Sequence, residues 1–151
     1  KTGKKVDFSM SNYGGIRAAI TKGNVTVSNA FELMPFDNTL VVVELNYEKI
    51  QELFSYFMSK KMAHPLSSHI ELKIKNKSYN VLISGKSIDK DKTYFVATSN
   101  YLQKGGDAMN FFKNPLSLYD SNFLIRDAIV EYFKSKDTLI SNLDNRVIIS
   151  N

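Results

Sequence analysis

The hydrophobic pattern of this chain changes period abruptly around residue 46. Leu40 to Leu45 (L-V-V-V-E-L) is an apolar, β-branched run that reads as a buried strand. Directly after it, Ile50, Leu53, Phe54, Phe57 and Met58 recur at i, i+3, i+4, i+7 and i+8, the spacing of an amphipathic helix. That helix is expected to begin at Tyr47 and end near Lys60-Lys61, where cations suit the negative pole of the helix dipole.

The remaining elements follow the same reasoning. Val6 to Met10 alternates until Asn12-Tyr13-Gly14-Gly15 breaks the pattern with residues that tolerate positive φ. Ser28 is expected to cap a short helical turn over residues 29–33, which Pro35 stops. Ile70, Leu72 and Ile74 alternate, Asn76-Lys77 turns the chain, and Tyr79, Val81 and Ile83 alternate again, which predicts a β-hairpin. Tyr94 to Thr98 is another strand, and Ile125, Ala128, Ile129, Tyr132 and Phe133 repeat the helical spacing. Val147 to Ile149 is a last short strand after Arg146. Strands and helices mix without a clean βαβ rhythm, so an α+β fold with a mixed sheet and flanking helices is predicted over a doubly wound one. With 151 residues and neither an internal repeat nor a linker, residues 1–151 are expected to form a single domain. The opening K-T-G-K-K-V-D-F-S-M-S, a basic stub running almost directly into a strand, has the look of a piece of something longer.

Several function classes fall away. No run approaches the roughly 20 apolar residues of a membrane-spanning helix, so no membrane span is expected. The absence of cysteine excludes disulfides, thiol catalysis and cysteine zinc sites. His64 and His69 are the two histidines, with no H-E-x-x-H, and supply a di-metal centre poorly. The 20 Lys and Arg against 15 Asp and Glu give a net charge of +5, but the excess lysine is scattered as a solvated surface would be, and no nucleic-acid partner is expected. Ser84-Gly85-Lys86-Ser87 resembles the end of a phosphate-binding loop, yet Asn80 stands where that motif requires glycine, so a hairpin-type turn is predicted. No G-x-G-x-x-G or G-x-S-x-G occurs, and Asp89 with Asp91 and Glu48 with Glu52 lie in lysine-rich polar stretches. Acid–base catalysis has no evident home, and no catalytic residue is assigned.

Three loops carry groups that packing does not demand. In N-Y-G-G-I-R, two glycines permit close approach of a ligand, Asn12 offers a donor and an acceptor to a base edge, and Arg17 offers a planar fork for phosphate oxygens. In M-P-F-D-N, Phe36 is either a plug folded into the core or an exposed stacking platform. In V-A-T-S-N-Y-L-Q-K-G-G-D-A, Tyr101 follows a strand in the loop, and Gly105-Gly106 present Asp107, whose carboxylate suits two vicinal hydroxyls. Together they hold two aromatic faces for a base, an amide for its edge, a carboxylate for a sugar and a guanidinium for a phosphate.

The ordered triple D-F-S-M-S-N-Y-G-G-I-R, M-P-F-D-N before a valine-rich strand, and Y-F-V-A-T-S-N-Y-L-Q-K-G-G-D closely resembles the C-terminal domain of the 5′-nucleotidase family, from about Asp7 to Ile149. The resemblance implies a secreted or periplasmic (or cell-surface) two-domain phosphohydrolase. Its N-terminal calcineurin-like domain, absent from this chain, holds two divalent metals, commonly zinc or manganese. The C-terminal domain binds the nucleoside and swings it to the metals by a large rotation. Carried over, the base-contacting asparagine falls on Asn12 and the phosphate-side arginine on Arg17. The two stacking rings fall on Phe36 and Tyr101, the latter usually phenylalanine, and the ribose-binding aspartate falls on Asp107 beside Gly105 and Gly106. The expected partners are thus a nucleoside or nucleotide and a metallophosphatase domain on the same or a separate chain, with no cofactor in this chain itself.

The sequence departs from the family pattern in places. Ala108 replaces a glycine after the aspartate, Asn46 replaces a glycine before the long helix, and the segment from that helix to the hairpin is short. A second phosphate-side arginine, which normally lies on a helix upstream of the first motif, has no counterpart in these residues. The rival reading is a non-catalytic nucleoside- or nucleic-acid-binding or interaction module on the same scaffold.

Overall fold

A computed structural model describes residues 3 and 5–150. Its strands divide between two four-stranded mixed sheets flanked by helices, as an α+β fold requires. The first, in the order β1-β6-β2-β7, comprises β1 (Phe8–Ser9), β2 (Thr39–Leu45), β6 (Tyr94–Ser99) and β7 (Ser117–Leu124). The second, β5-β4-β3-β8, comprises β3 (Ile70–Lys75), β4 (Ser78–Ile83), β5 (Lys86–Ser87) and β8 (Val147–Ser150). Each sheet has one parallel pair, β1 with β6 and β3 with β8, and is otherwise antiparallel.

Helix α2 (Tyr47–Lys60) joins the two sheets. Its stripe of Ile50, Leu53, Phe54 and Phe57 is fully buried, and Phe54 meets Phe8 of the first sheet at 6.3 Å and Tyr79 of the second at 6.1 Å between ring centroids. The burial pattern of β3, with Ile70, Leu72 and Ile74 inward, is the predicted alternation. Asn46 caps the helix, its Oδ1 accepting from the Lys49 amide at 3.1 Å, which accounts for an asparagine where glycine is usual. At the other end Lys61 closes the helix in the left-handed conformation at φ 50°.

The predicted hairpin and the turn at Ser84-Gly85 are present, the latter with both residues at positive φ between β4 and β5. One expectation is corrected here. The first short helix, α1 (Val27–Leu33), is opened by Thr26 rather than Ser28. The Asn29 side chain reaches back to accept from the Thr26 amide at 2.8 Å, while Ser28 bonds forward to Glu32. Strand β7 was not foreseen. It is an edge strand with polar residues on both faces, Ser117, Asp120, Ser121 and Asn122 among them, so it shows no apolar alternation. A bulge opposite Thr39–Val41, with Asn122 at φ 51°, breaks its register further.

Strand directions decide where the chemistry gathers. Chain segments leaving β1 and leaving its parallel neighbour β6 emerge at one end of the first sheet. Because β2 is antiparallel to β6, the segment entering β2 lies at that same end, and β7, antiparallel to β2, delivers its C-terminus there too. The three motif loops therefore share one rim, with α4 (Ile125–Lys134) as a fourth contributor.

Candidate nucleoside site

Asp107 is the hub of that rim. Its Oδ2 accepts from Asn12 Nδ2 at 2.7 Å and its Oδ1 from the Tyr101 hydroxyl at 2.8 Å, while its own amide donates to the Tyr101 oxygen at 3.3 Å. Tyr56 of α2 donates to the Asp107 carbonyl at 2.9 Å. The carboxylate thus ties the first loop to the third. The bond donated to Asp107 is the main reason the Tyr101 hydroxyl is raised above its ordinary value, and burial is the main reason for Tyr56. Because the carboxylate accepts, the Asn12 amide must face it with NH₂, and its Oδ1 has no hydrogen-bond partner among the described residues.

The glycines have specific tasks here. A Cβ on Gly15 would sit 2.8 Å from Asn12 Oδ1, and one on Gly106 would sit 2.4 Å from Tyr101 Cε1, so each absence lets a neighbouring side chain lie against its turn. Gly105 stands at φ 91°. Asp107 and Ala108 are themselves left-handed, at φ 53° and 60°, a conformation that aspartate tolerates better than alanine. Tyr101, expected in a loop, instead occupies the four-residue helical turn α3 (Asn100–Gln103), capped by Ser99, whose hydroxyl oxygen accepts from the Leu102 amide.

Phe36 is 38% exposed and Tyr101 43%, which resolves the choice for Phe36: its ring is no core plug. The Arg17 guanidinium lies 5.9 Å from the Phe36 ring centroid, with one Nη donating to the Gly14 carbonyl at 3.2 Å and the side chain otherwise exposed. Its backbone amide bonds to the Leu33 carbonyl at 2.9 Å, joining the first loop to the second. The Thr39 amide bonds to Asn100 Oδ1 at 3.2 Å, joining the second to the third. All seven predicted residues therefore lie on one connected rim.

Two residues here were not foreseen. Arg126, at the start of α4, donates to Asp37 Oδ1 at 2.9 Å and to the Phe36 carbonyl at 3.4 Å, and stacks 4.2 Å from the Phe31 ring centroid. With the Ile125 amide bonded to the Asn38 carbonyl at 2.9 Å, it holds the Phe36 loop down. His64, 4% exposed, receives the Tyr13 amide on Nδ1 at 3.1 Å. The site is an open rim and not an enclosed cavity. A groove of about 1460 Å³ between residues 18–27 and 130–142 is lined by none of the seven.

Aromatic, amide, carboxylate and guanidinium groups thus come together from loops at one end of the first sheet of an α+β domain. The chain belongs to the 5′-nucleotidase family: residues 1–114 match the family model for "5'-nucleotidase, C-terminal domain". It is 28% identical over 137 residues to protein UshA of Yersinia enterocolitica, covering 88% of this chain and 25% of that protein. Over 149 residues it is 30% identical to the trifunctional nucleotide phosphoesterase protein YfkN of Bacillus subtilis, covering 89% of this chain and 10% of that protein. The 5′-nucleotidase precursor of Thermus thermophilus superposes with a TM-score of 0.83 at 25% identity, covering 97% of this chain and 32% of that one. The chain thus spans about a quarter or less of the curated relatives named here.

Proposed function

We propose that residues 1–151 act as the substrate-binding domain of a 5′-nucleotidase-type phosphohydrolase, taking a nucleoside or nucleotide on the rim described above. The observation that carries this is the Asn12–Asp107–Tyr101 hydrogen-bonded cluster, set on the same rim as the exposed Phe36 ring and Arg17. Phe36 and Tyr101 stack on the two faces of the base, each face worth about 1–3 kcal/mol. Asn12 meets the base edge with its unpartnered Oδ1. Each Asp107 oxygen keeps a lone pair for a ribose hydroxyl, and Gly105 and Gly106 form the turn that presents it, their missing side chains leaving space to Lys113 and to the Tyr101 ring. Arg17 takes the phosphate, for which its exposed fork is suited.

Bond cleavage belongs in this reading to a calcineurin-like metallophosphatase domain, on the same or a separate chain, with two divalent metals such as zinc or manganese. Among the described residues no group of three or more His, Cys, Asp or Glu could hold a metal ion, so this donor set does not fit such a centre. A rim open to solvent supports presentation of the phosphate to a second body. A periplasmic or extracellular setting is part of the same proposal; no helix among the described residues is long and apolar enough to cross a membrane.

Calorimetry with Phe36→Ala and Tyr101→Ala tests the clamp. Each substitution is expected to weaken adenosine binding at least about tenfold, about 1.4 kcal/mol. Unchanged affinity in both would mean that the clamp does not form.

A further inference from the structure

His64 is a buried titratable group that the proposed nucleoside contacts do not use, yet it reaches the nucleoside loop directly. A backbone N–H can only donate, so the Tyr13 amide at 3.1 Å requires His64 Nδ1 to be unprotonated. The proton of the neutral ring then sits on Nε2, which is buried and has no partner among the described residues. The ring is wedged between Tyr56 and Phe57 of α2, with centroids at 5.7 and 5.5 Å. It therefore cannot turn to offer another edge without breaking these contacts. Tyr13 follows Asn12 directly and opens the turn in which the Gly15 amide bonds back to the Asn12 carbonyl at 3.1 Å. What holds Tyr13 in place holds Asn12 against Asp107.

We propose that His64 is a positioning residue whose neutral imidazole fastens the Asn12–Arg17 loop, and whose protonation frees that loop and lowers nucleoside affinity in mild acid. The inference rests on the reading of the rim as a nucleoside site.

The physical basis is a donor facing a donor. A protonated ring would turn an N–H toward the Tyr13 N–H, losing one hydrogen bond and burying a charge. Burial is the principal influence on the ring and holds His64 below its ordinary value, while the Asp107 carboxylate pulls the other way. Tyr56 faces the ring with a hydroxyl committed to the Asp107 carbonyl, and Lys60 Nζ lies 5.6 Å from the Tyr56 ring centroid, a positive charge that adds no support for a cationic imidazole. The Tyr13 side chain is exposed, so only its amide engages the ring. Because the folded value is lowered, the open state takes up the proton more readily. The fastening is complete above about pH 6.5 and is lost as the pH falls from there toward the lowered value.

The test uses the ¹⁵N-labelled chain, with His64→Leu to remove the acceptor and His64→Asn to place a non-titrating oxygen near the Nδ1 position. Adenosine titrations and Tyr13 amide exchange are measured at about pH 7.5 and about pH 5. Wild type is expected to lose about tenfold in affinity and in Tyr13 protection between them. His64→Leu is expected to be about tenfold weaker and less protected already at the higher pH, whereas His64→Asn stays within about twofold of wild type there and shows no acid loss. Should His64→Leu fail to fold, the wild-type and His64→Asn profiles decide. Tyr13 exchange insensitive to the substitutions, or identical acid profiles in wild type and His64→Asn, would overturn the positioning role. If adenosine binds at neither pH while Tyr13 exchange still depends on His64, the nucleoside reading fails and the fastening stands.

Discussion

Gly106→Ala separates binding from stability at a single methyl group. A Cβ at this position would stand 2.4, 2.5 and 2.6 Å from Cε1, Cζ and Cδ1 of Tyr101, where carbon atoms normally rest about 3.5–4.0 Å apart. The ring must therefore withdraw by about 1 Å or more. Gly106 is not among the positive-φ residues, so alanine fits its backbone and gains about 0.4–1 kcal/mol by restricting the unfolded chain. Against this stands the loss of the two solvent-exposed Tyr101–Asp107 bonds, together of similar size at most. Stability should change by less than about 1 kcal/mol in either direction. In the proposed clamp binding has no such compensation, because one of the two stacking faces is displaced, at about 1–3 kcal/mol. The expected outcome is a denaturant midpoint close to wild type with adenosine affinity at least about tenfold weaker by calorimetry. Full affinity with a displaced Tyr101 ring would refute the role given to that ring.

Other substitutions probe neighbouring steps. Ala108→Gly relieves a left-handed alanine, and the gain of about 1–2 kcal/mol less the added freedom of the unfolded chain leaves a stabilisation of about 0.5–1 kcal/mol in chemical denaturation. Asn46→Ala removes the α2 cap and should cost about 1 kcal/mol, Asn46→Gly only a few tenths, as read from urea midpoints. Arg126→Met should leave stability within about 1 kcal/mol, since its Asp37 partner is exposed, yet weaken adenosine about threefold in the same calorimetric assay by loosening the Phe36 loop.

Periodicity made α2, the hairpin and β6 legible, because each has one face in the core and repeats at the period of its element, while β2, with Val41, Val42 and Val43 all buried, was legible as an unbroken apolar run. Strand β7 lay beyond that reasoning, since its pairing with β2 draws on backbone hydrogen bonds more than on an apolar face. That miss concealed Arg126, whose importance comes only from β7 delivering α4 to the rim. The motif loops were legible by residue type, but their convergence was not. It follows from β1 running parallel to β6 and antiparallel strands flanking the pair, a matter of long-range pairing. His64 carried no signal at all, because a lone histidine before a proline shows its meaning only when the Tyr13 amide is found against it, 51 positions away.

In the proposed complex a base lies between Phe36 and Tyr101 with its ribose toward Asp107. Intermolecular NOEs between adenosine and the labelled chain test it most directly. Contacts from the base protons to both rings, with ribose protons near Asp107 and Gly106, are the predicted result. Saturable adenosine binding with NOEs to neither ring, or with shifts gathered around the groove between residues 18–27 and 130–142, would contradict it.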